Sequence, residues 1–389
     1  MREEDIWNCN NVPACHLSNV LNKESLCLPP QNSGHQTVKC LQGYSPSKVV
    51  FLKLNKHNQP LASILEVALG NLYRALMGKY AAKGALVKDE SNKVVGTISY
   101  DDTGGTFKDF TQFTEQEKPS IKKQINSGLA DVLTSAHFFN ENDLHKKNYG
   151  ADGTGHMVRI DFDMSMWSTT VGALDGYVGH LIKRGGISES PITVENLTKF
   201  PVTTDGGWFS PCRQGRRLEW INDLRSMSDS RITSSEESEE YCNLASNDEF
   251  QQKKWESFMQ LALVPDGYYD GTLKSAKKHC IDVEQECLSC ANTIDKIGND
   301  IKARKRKLIK DLKMIPVFHK FLCKRLGKMK DLTCSNFANS LFSSYRTETE
   351  ERGAGISERD NRPICDTAIA LTNNRCSKYT NKLIENADN

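Results

Sequence analysis

Two stretches decide how this chain reads: Asn142-Asp143-Leu144-His145-Lys146-Lys147-Asn148 and, shortly after, Ile160-Asp161-Phe162-Asp163. An Asp and an Asn five positions apart fit on one tight loop, one facing an acceptor hydroxyl and one facing a metal. A second Asp at the end of the next strand closes such a metal site. Phosphoryl transfer needs these parts: a carboxylate beside the acceptor, and hard oxygen ligands holding magnesium on the phosphates. The join between the stretches reads as a short hairpin. Asn148-Tyr149-Gly150 and Met157-Val158-Arg159-Ile160 flank the turn Asp152-Gly153-Thr154-Gly155, and Asp143 and Asp161 stand 18 residues apart.

Working upstream, Val49-Val50-Phe51-Leu52-Lys53-Leu54 is a compact β-branched and aromatic run, which predicts a buried strand. Leu61, Ile64, Leu65, Ala68, Leu69, Leu72 and Leu76 repeat at helical spacing, with Gly78 just past the end. Glu66 lies in that helix, 13 residues after Lys53. Ala85-Leu86-Val87 and Val94-Val95-Gly96-Thr97-Ile98 flank Asp89-Glu90-Ser91-Asn92 and predict a second hairpin. Helical periodicity returns around Ile121, Ile125, Leu129, Val132 and Leu133.

These residues resemble the protein kinase superfamily. Asp143-x4-Asn148 matches the D-x-x-x-x-N of the catalytic loop, and Asp161-Phe162-Asp163 matches D-F-G with Asp in place of Gly. Lys53 ends a strand as the V-A-I-K lysine does. The resemblance implies ATP with Mg2+ (or Mn2+) as cofactors and a protein Ser/Thr hydroxyl as acceptor. It implies Asp143 as the base, Asn148 and Asp161 on the metal, and Lys53, held by Glu66, on the α/β-phosphates. Two departures matter. Glu141 and Asn142 stand where the family has His and Arg, which removes the usual partner of a phosphorylated activation loop. Gly34 and Gly43 precede Lys53, but nothing reads G-x-G-x-x-G, so the element covering the phosphates is reduced or unusual.

The resemblance covers about residues 35–230. In style the chain is similar to atypical bacterial kinases, the secreted Legionella effector kinases among them, including one activated by host inositol hexakisphosphate. That likeness implies delivery into host cytosol by a type IV system. Glu348, Glu350, Glu351 and Glu358 fit a Glu-rich signal, and a solvated acidic tail explains them equally. An inositol polyphosphate needs clustered cations. Lys183, Arg184, Arg213, Arg216 and Arg217 are the candidates, because they sit among Gly and Pro turns just after the metal motif. Ordinary surface cations are the alternative.

The C-terminal part is helical in pattern and strongly basic locally. Residues 301–330 carry twelve Lys/Arg and one Asp. Ile301, Leu308, Leu312 and Ile315, then Phe318, Phe321, Leu322 and Leu326, form an apolar stripe interrupted at Pro316. Such a stretch can lie on a phosphoinositide-containing membrane, or it can pack its stripe into a bundle and leave a solvated basic face.

Composition narrows the classes. Over the 389 residues, 51 basic and 49 acidic side chains nearly cancel, so no global field favours nucleic acid, and none is expected as a partner. No apolar run is long enough to span a bilayer, and Met1-Arg2-Glu3-Glu4-Asp5 lacks the features of a secretory signal. The thirteen cysteines are expected to be reduced packing residues. Zinc at Cys287-x-x-Cys290, near His279-Cys280, is the weaker reading.

The expected fold is α+β, a bilobal kinase-like arrangement with an added helical region. Residues 1–34 read as an irregular N-terminal extension, 35–102 as the N-lobe and 103–250 as the C-lobe. The C-lobe includes a flexible acidic loop near 231–250, around Ser234-Ser235-Glu236-Glu237-Ser238-Glu239-Glu240. Residues 251–389 form the helical region. A small-molecule or lipid kinase is the runner-up within the fold. A pseudokinase serving as a phosphoinositide-directed binding module is the runner-up outside enzymes.

Overall fold

The computed structural model describes residues 14–16, 26–27, 31–32, 36–45, 48–55, 60–100, 106–110, 112–114, 116–141, 144, 148–170, 190–203, 212–213, 243–281, 287–329, 333–350, 361–372, 379, 381, 383 and 384. The fold is α+β. Residues 14–100 hold a seven-stranded sheet carrying one long helix, a mixed part with two small sheets follows, and the chain from Asp248 on is mainly helical.

The sheet uses β1 (Ala14–His16), β2 (Leu26–Cys27), β3 (Gln31–Asn32), β4 (Gln36–Ser45) and β5 (Lys48–Asn55). After helix α1 (Pro60–Met77) come β6 (Lys83–Lys88) and β7 (Val94–Tyr100). The order is β1-β6-β7-β5-β4-β2, with β3 also on β4. All pairs are antiparallel except β1 with β6. The expected strand, helix and hairpin are all present. In the hairpin turn Asp89 Oδ1 accepts from the Ser91 and Lys93 backbone N–H groups, and Asn92 takes a positive φ of 63°. The N-terminal extension differs from its expected irregular form. Three of its segments pair as β1, β2 and β3, because the edges of β6 and β4 offer backbone ladder groups that a short segment can satisfy whatever its side chains.

Helix α1 is buried on nearly every face, from Pro60 to Met77. A helix apolar all round belongs between layers. It lies between the sheet and the helices that follow, and hydrogen bonds tie it to both sides. Arg74 donates to the Ala81 carbonyl, and Tyr268 donates its hydroxyl to the Asn71 carbonyl at 2.7 Å.

The next part holds β8 (Lys108–Asp109), α2 (Ile121–Asn126), α3 (Leu129–Phe138), β9 (Tyr149–Ala151), β10 (Met157–Arg159) and α4 (Trp167–Thr170). The helical periodicity after Ile121 is split in two at Gly128, whose φ of 105° only glycine adopts easily. β9 and β10 form the expected hairpin, and β8 adds a third strand on β9. Then come α5 (Val194–Lys199), β11 (Val202–Thr203) and β12 (Cys212–Arg213).

The helical region comprises α6 (Asp248–Leu263), α7 (Asp266–Ile281), α8 (Cys287–Leu312), α9 (Pro316–Gly327), α10 (Cys334–Glu350) and α11 (Asn361–Thr372). It shares one core with α1 and α3. The apolar stripe of 301–330 is used there. Ile301, Leu308, Leu312, Phe318 and Leu322 are all fully buried. Of the two readings of that stripe, bundle packing is the one the fold adopts. Many of its cations are paired as well: Lys302 with Asp270, Lys305 with Asp266, Lys307 with Asp311 and Arg325 with Glu256. The cysteine expectation needs a correction. Cys280 and Cys290 form a disulfide between the last turn of α7 and the first turn of α8, where the return of the chain brings their Cα atoms to 6.0 Å. Cys323 is also disulfide-bonded, whereas Cys334 and Cys365 are free and buried. No described helix is long and apolar enough to cross a membrane.

Candidate active site

Lys53 is presented by β5, in register with Thr97 of β7. Its ammonium lies 2.5 Å from Glu66 Oε1 and 3.1 Å from Asp161 Oδ1. The expected Lys53–Glu66 pair therefore forms across the 13 residues that separate them, and Asp161 joins it from 108 residues away. Thr97 donates its hydroxyl to Glu66 Oε2 at 3.4 Å.

The electrostatics are lopsided. Burial alone would lower the Lys53 pKa, but Asp161, Glu66 and Asp163 outweigh it and hold the ammonium firmly protonated. Burial pushes the Glu66 carboxyl up to about 7, against the pull of Lys53, and Asp161 and Asp163 push the same way. Three carboxylates thus converge on one ammonium. Such an excess of negative oxygen suits a hard divalent cation. Among the described residues no group of three or more His, Cys, Asp and Glu forms a metal cage. Magnesium needs none, because it is commonly held by one or two carboxylates together with the phosphates of its nucleotide. Asp161 and Asn148 fit that habit.

Asp161 takes a φ of 61°, in the left-handed region that Asp tolerates better than most residues. Asn140 and Met166 also have positive φ, at 47° and 52°. Strained backbone of this kind gathers at functional sites, where the surroundings over-determine it. Here the determinants are visible. Phe162, next to Asp161, is buried against Tyr73 of α1 with ring centroids 4.7 Å apart. Met166 N–H donates to the Phe139 carbonyl at 2.6 Å, and Trp167 N–H donates to the Asn140 carbonyl at 3.3 Å.

Asp143 lies outside the described residues, but both flanks of its loop are fixed. At the entry, Glu141 N–H donates to the Ala136 carbonyl at 2.9 Å. At the exit, the buried Asn148 accepts at its carbonyl from Ile160 N–H, also at 2.9 Å. The turn of the β9–β10 hairpin is built on Asp152, whose Oδ1 accepts from the backbone N–H groups of Thr154 and His156.

Four of the five principal site residues are described. Lys53, Glu66 and Asp161 are in direct contact, and Asn148 sits at the start of the hairpin that leads to Asp161. Of the cations considered for an inositol polyphosphate, Lys183, Arg184, Arg216 and Arg217 lie outside the described residues. Arg213 is placed by its backbone on β12, opposite Thr203 of β11. Three contributors have contacts or charges to which sequence reasoning assigned no role. Asp163 adds its charge to the Lys53 cluster, and Glu141 and Arg159 form a fully buried ion pair at 2.9 Å. A signal for the pair was present, since Glu141 stands two residues before Asp143 and Arg159 two residues before Asp161.

No family model matches the chain, and no curated protein does. Among solved structures, the Helicobacter pylori proinflammatory kinase CtkA is similar over 77% of this chain and 99% of its own, at 10% identity and a TM-score of 0.38. Cex1p is similar over 93% of this chain and 77% of its own, at 11% identity and a TM-score of 0.28. Scores this low carry no functional weight, and the reading rests on the residues above.

Proposed function

We propose that this chain is an ATP- and magnesium-dependent phosphotransferase of atypical protein-kinase type, acting on a protein hydroxyl. The observation that carries the reading is the meeting of Lys53, Glu66 and Asp161. A strand lysine, a carboxylate from the next helix and a carboxylate after a distant hairpin meet in one cluster. Lys53 donates to α/β-phosphate oxygens, and Glu66 keeps its ammonium aimed there. Asp161 and Asn148 would hold magnesium, which supplies neutralisation of the phosphate charge. Asp143 accepts the proton of the acceptor hydroxyl. Stabilisation of developing charge is the main work in such a reaction, so the cluster is the largest contributor.

The lost Arg before Asp143 leaves a phosphorylated loop without its usual clamp. A diffusible polyanion such as inositol hexakisphosphate, held by Lys183, Arg184, Arg213, Arg216 and Arg217, is the activator we put forward for that role. The test is transfer from radiolabelled ATP by purified protein, with magnesium, manganese or chelator, and with or without inositol hexakisphosphate. Transfer that needs the metal and vanishes in Asp143→Ala supports the reading. Metal-independent labelling, or full autophosphorylation by Asp161→Ala, removes it. Unchanged activation after charge reversal at Arg213, Arg216 and Arg217 shows that the polyanion binds elsewhere.

A further inference from the structure

The Glu141–Arg159 pair is completely buried, with both side chains at 0% exposure. A buried ion pair is a poor source of stability, because the cost of removing two charges from water rivals their attraction. A well-packed apolar pair would hold the fold as well. What sets the pair apart is the set of segments it holds in place.

Arg159 Nη2 donates to Glu141 Oε2 at 2.9 Å, and Nη1 donates to the Asn148 carbonyl at 2.7 Å. One planar guanidinium thus grips the entry and the exit of the loop that carries Asp143. Glu141 is gripped in turn. Its Oε2 also accepts from Ser165 Oγ at 2.6 Å and from the Tyr73 hydroxyl at 3.3 Å. Arg159 is anchored at its own end too. Its carbonyl accepts from Ala82 N–H at 2.9 Å, just after α1, and its guanidinium lies 5.2 Å from the Phe162 ring centre. Five separate segments meet on this pair: α1, the loop entry, the loop exit, the strand before Asp161 and the turn after it.

We infer that Glu141 and Arg159 are positioning residues that hold the two flanks of the Asp143 loop, Glu141 and Asn148, in register with the strand leading to Asp161. This rests on the phosphotransferase reading above. In the family this chain resembles, the residues before the catalytic Asp are His and Arg. Here the guanidinium comes from the following strand instead and reaches back to the loop. An apolar replacement would keep the volume and lose the fork geometry that fixes one carboxylate and one carbonyl contact at once. Lysine at 159 replaces the fixed planar fork with one ammonium on a flexible stem, so it no longer holds Glu141 and the Asn148 carbonyl in one set geometry.

The experiment compares wild type with Arg159→Lys, Glu141→Gln and the double variant Glu141→Leu/Arg159→Met. The double variant guards against singles that fail to fold, since it leaves no lone buried charge. Three readouts are taken from full-length protein: thermal midpoint, transfer kinetics against magnesium concentration, and hydrogen exchange of the peptide covering 142–147. The expected double variant melts near wild type and exchanges at 142–147 at least tenfold faster. Its kcat falls at least thirtyfold, and half-activation by magnesium needs about tenfold more metal. Arg159→Lys should fall between the two. Wild-type magnesium dependence and kcat in a folded double variant would overturn the inference. If wild type itself transfers no phosphate, the functional reading fails by that result alone. The exchange measurement then decides the positioning role, and unchanged protection at 142–147 refutes it.

Discussion

Gly70 of α1 lies directly beneath the ring of Phe162: a Cβ built on it would stand 3.0 Å from Cδ2 and 3.2 Å from Cε2. A glycine in the middle of a helix costs about 0.5–1 kcal/mol relative to alanine. The cost is explained by what it admits, an aromatic ring adjoining the strained backbone of Asp161. We predict that Gly70→Ala lowers transfer about tenfold while changing stability by less than about 1 kcal/mol, since helix propensity offsets the displaced ring. Parallel urea unfolding and initial rates check it. A variant that gains stability and keeps full activity would show that Phe162 moves aside freely.

The carboxylate excess around Lys53 leads to a trade between stability and activity. Asp161→Asn keeps a residue tolerant of positive φ and removes one charge from the cluster. It should melt at or above the wild-type temperature and show no measurable transfer. Lys53→Met should do the reverse for stability. It leaves Glu66, Asp161 and Asp163 without their ammonium, and should destabilise by about 2–4 kcal/mol. Differential scanning calorimetry of both variants tests the signs. Equal destabilisation by both would mean that the cluster is not charge-strained.

Arg304 has a task that its place in a basic run conceals. Its Nε donates to the Phe138 carbonyl at 2.6 Å, and its Nη2 donates to the His137 and Ser190 carbonyls, each at 2.7 Å. It closes the C-terminal end of α3 just before the Asp143 loop, where carbonyls have no partners within the helix. Arg304→Met should destabilise by about 2–4 kcal/mol, whereas Arg306→Met, at an exposed position of the same helix, should change stability by less than about 0.5 kcal/mol. Chemical denaturation of the two side by side is the check, and equal effects would remove the capping role.

The chemistry-bearing elements were legible because each rests on a local signal. β5 and α1 have clean periods, and the β9–β10 hairpin has a strong turn. Contacts made by long-range geometry were not legible. Nothing local tells Arg304 from Arg306, since capping of α3 depends on a crossing made 166 residues apart in sequence. The strands β1 to β3 are only two or three residues long, so their strand state depends on the neighbour and not on their own pattern. The basic stripe was ambiguous for a physical reason as well, because an amphipathic helix has the same period whether it faces a core or a lipid surface.

That ambiguity leaves a measurable expectation. With Leu308, Leu312, Phe318 and Leu322 inside the core, the stripe keeps only Met314 and Val317 as exposed large apolar side chains. Attraction of the full chain to phosphoinositide vesicles then rests mainly on exposed cations such as Lys310, Lys320 and Lys324, each contributing at most about 1 kcal/mol. Co-sedimentation should be weak at low salt and abolished near roughly 0.3 M salt, where screening is short-ranged. Salt-resistant binding would mean that the helices open on the membrane.

His137 provides the clearest pH signature. It is fully buried beside Phe200 and Phe258 at the end of α3, and burial, with a smaller push from Arg304, lowers its pKa to about 3. An unfolded histidine titrates near 6.5, so below that pH the unfolded chain takes a proton that the folded chain refuses. The contribution is therefore present in full above about 6.5 and is lost as pH falls toward about 3. Asp131 and Glu66 run the other way. Burial raises them to about 6 and about 7, so their folded forms hold protons longer than their unfolded forms. The whole protein will show the sum of opposed slopes, and a single profile will not isolate His137. The difference between wild type and His137→Leu will, because the carboxyl terms are common to both. We predict that the stability of the variant relative to wild type improves by about 1.4 kcal/mol for each pH unit between 6 and 4. Urea unfolding at pH 7, 6, 5 and 4.5 measures that difference. A constant difference across the series would mean that His137 accepts its proton in the folded state.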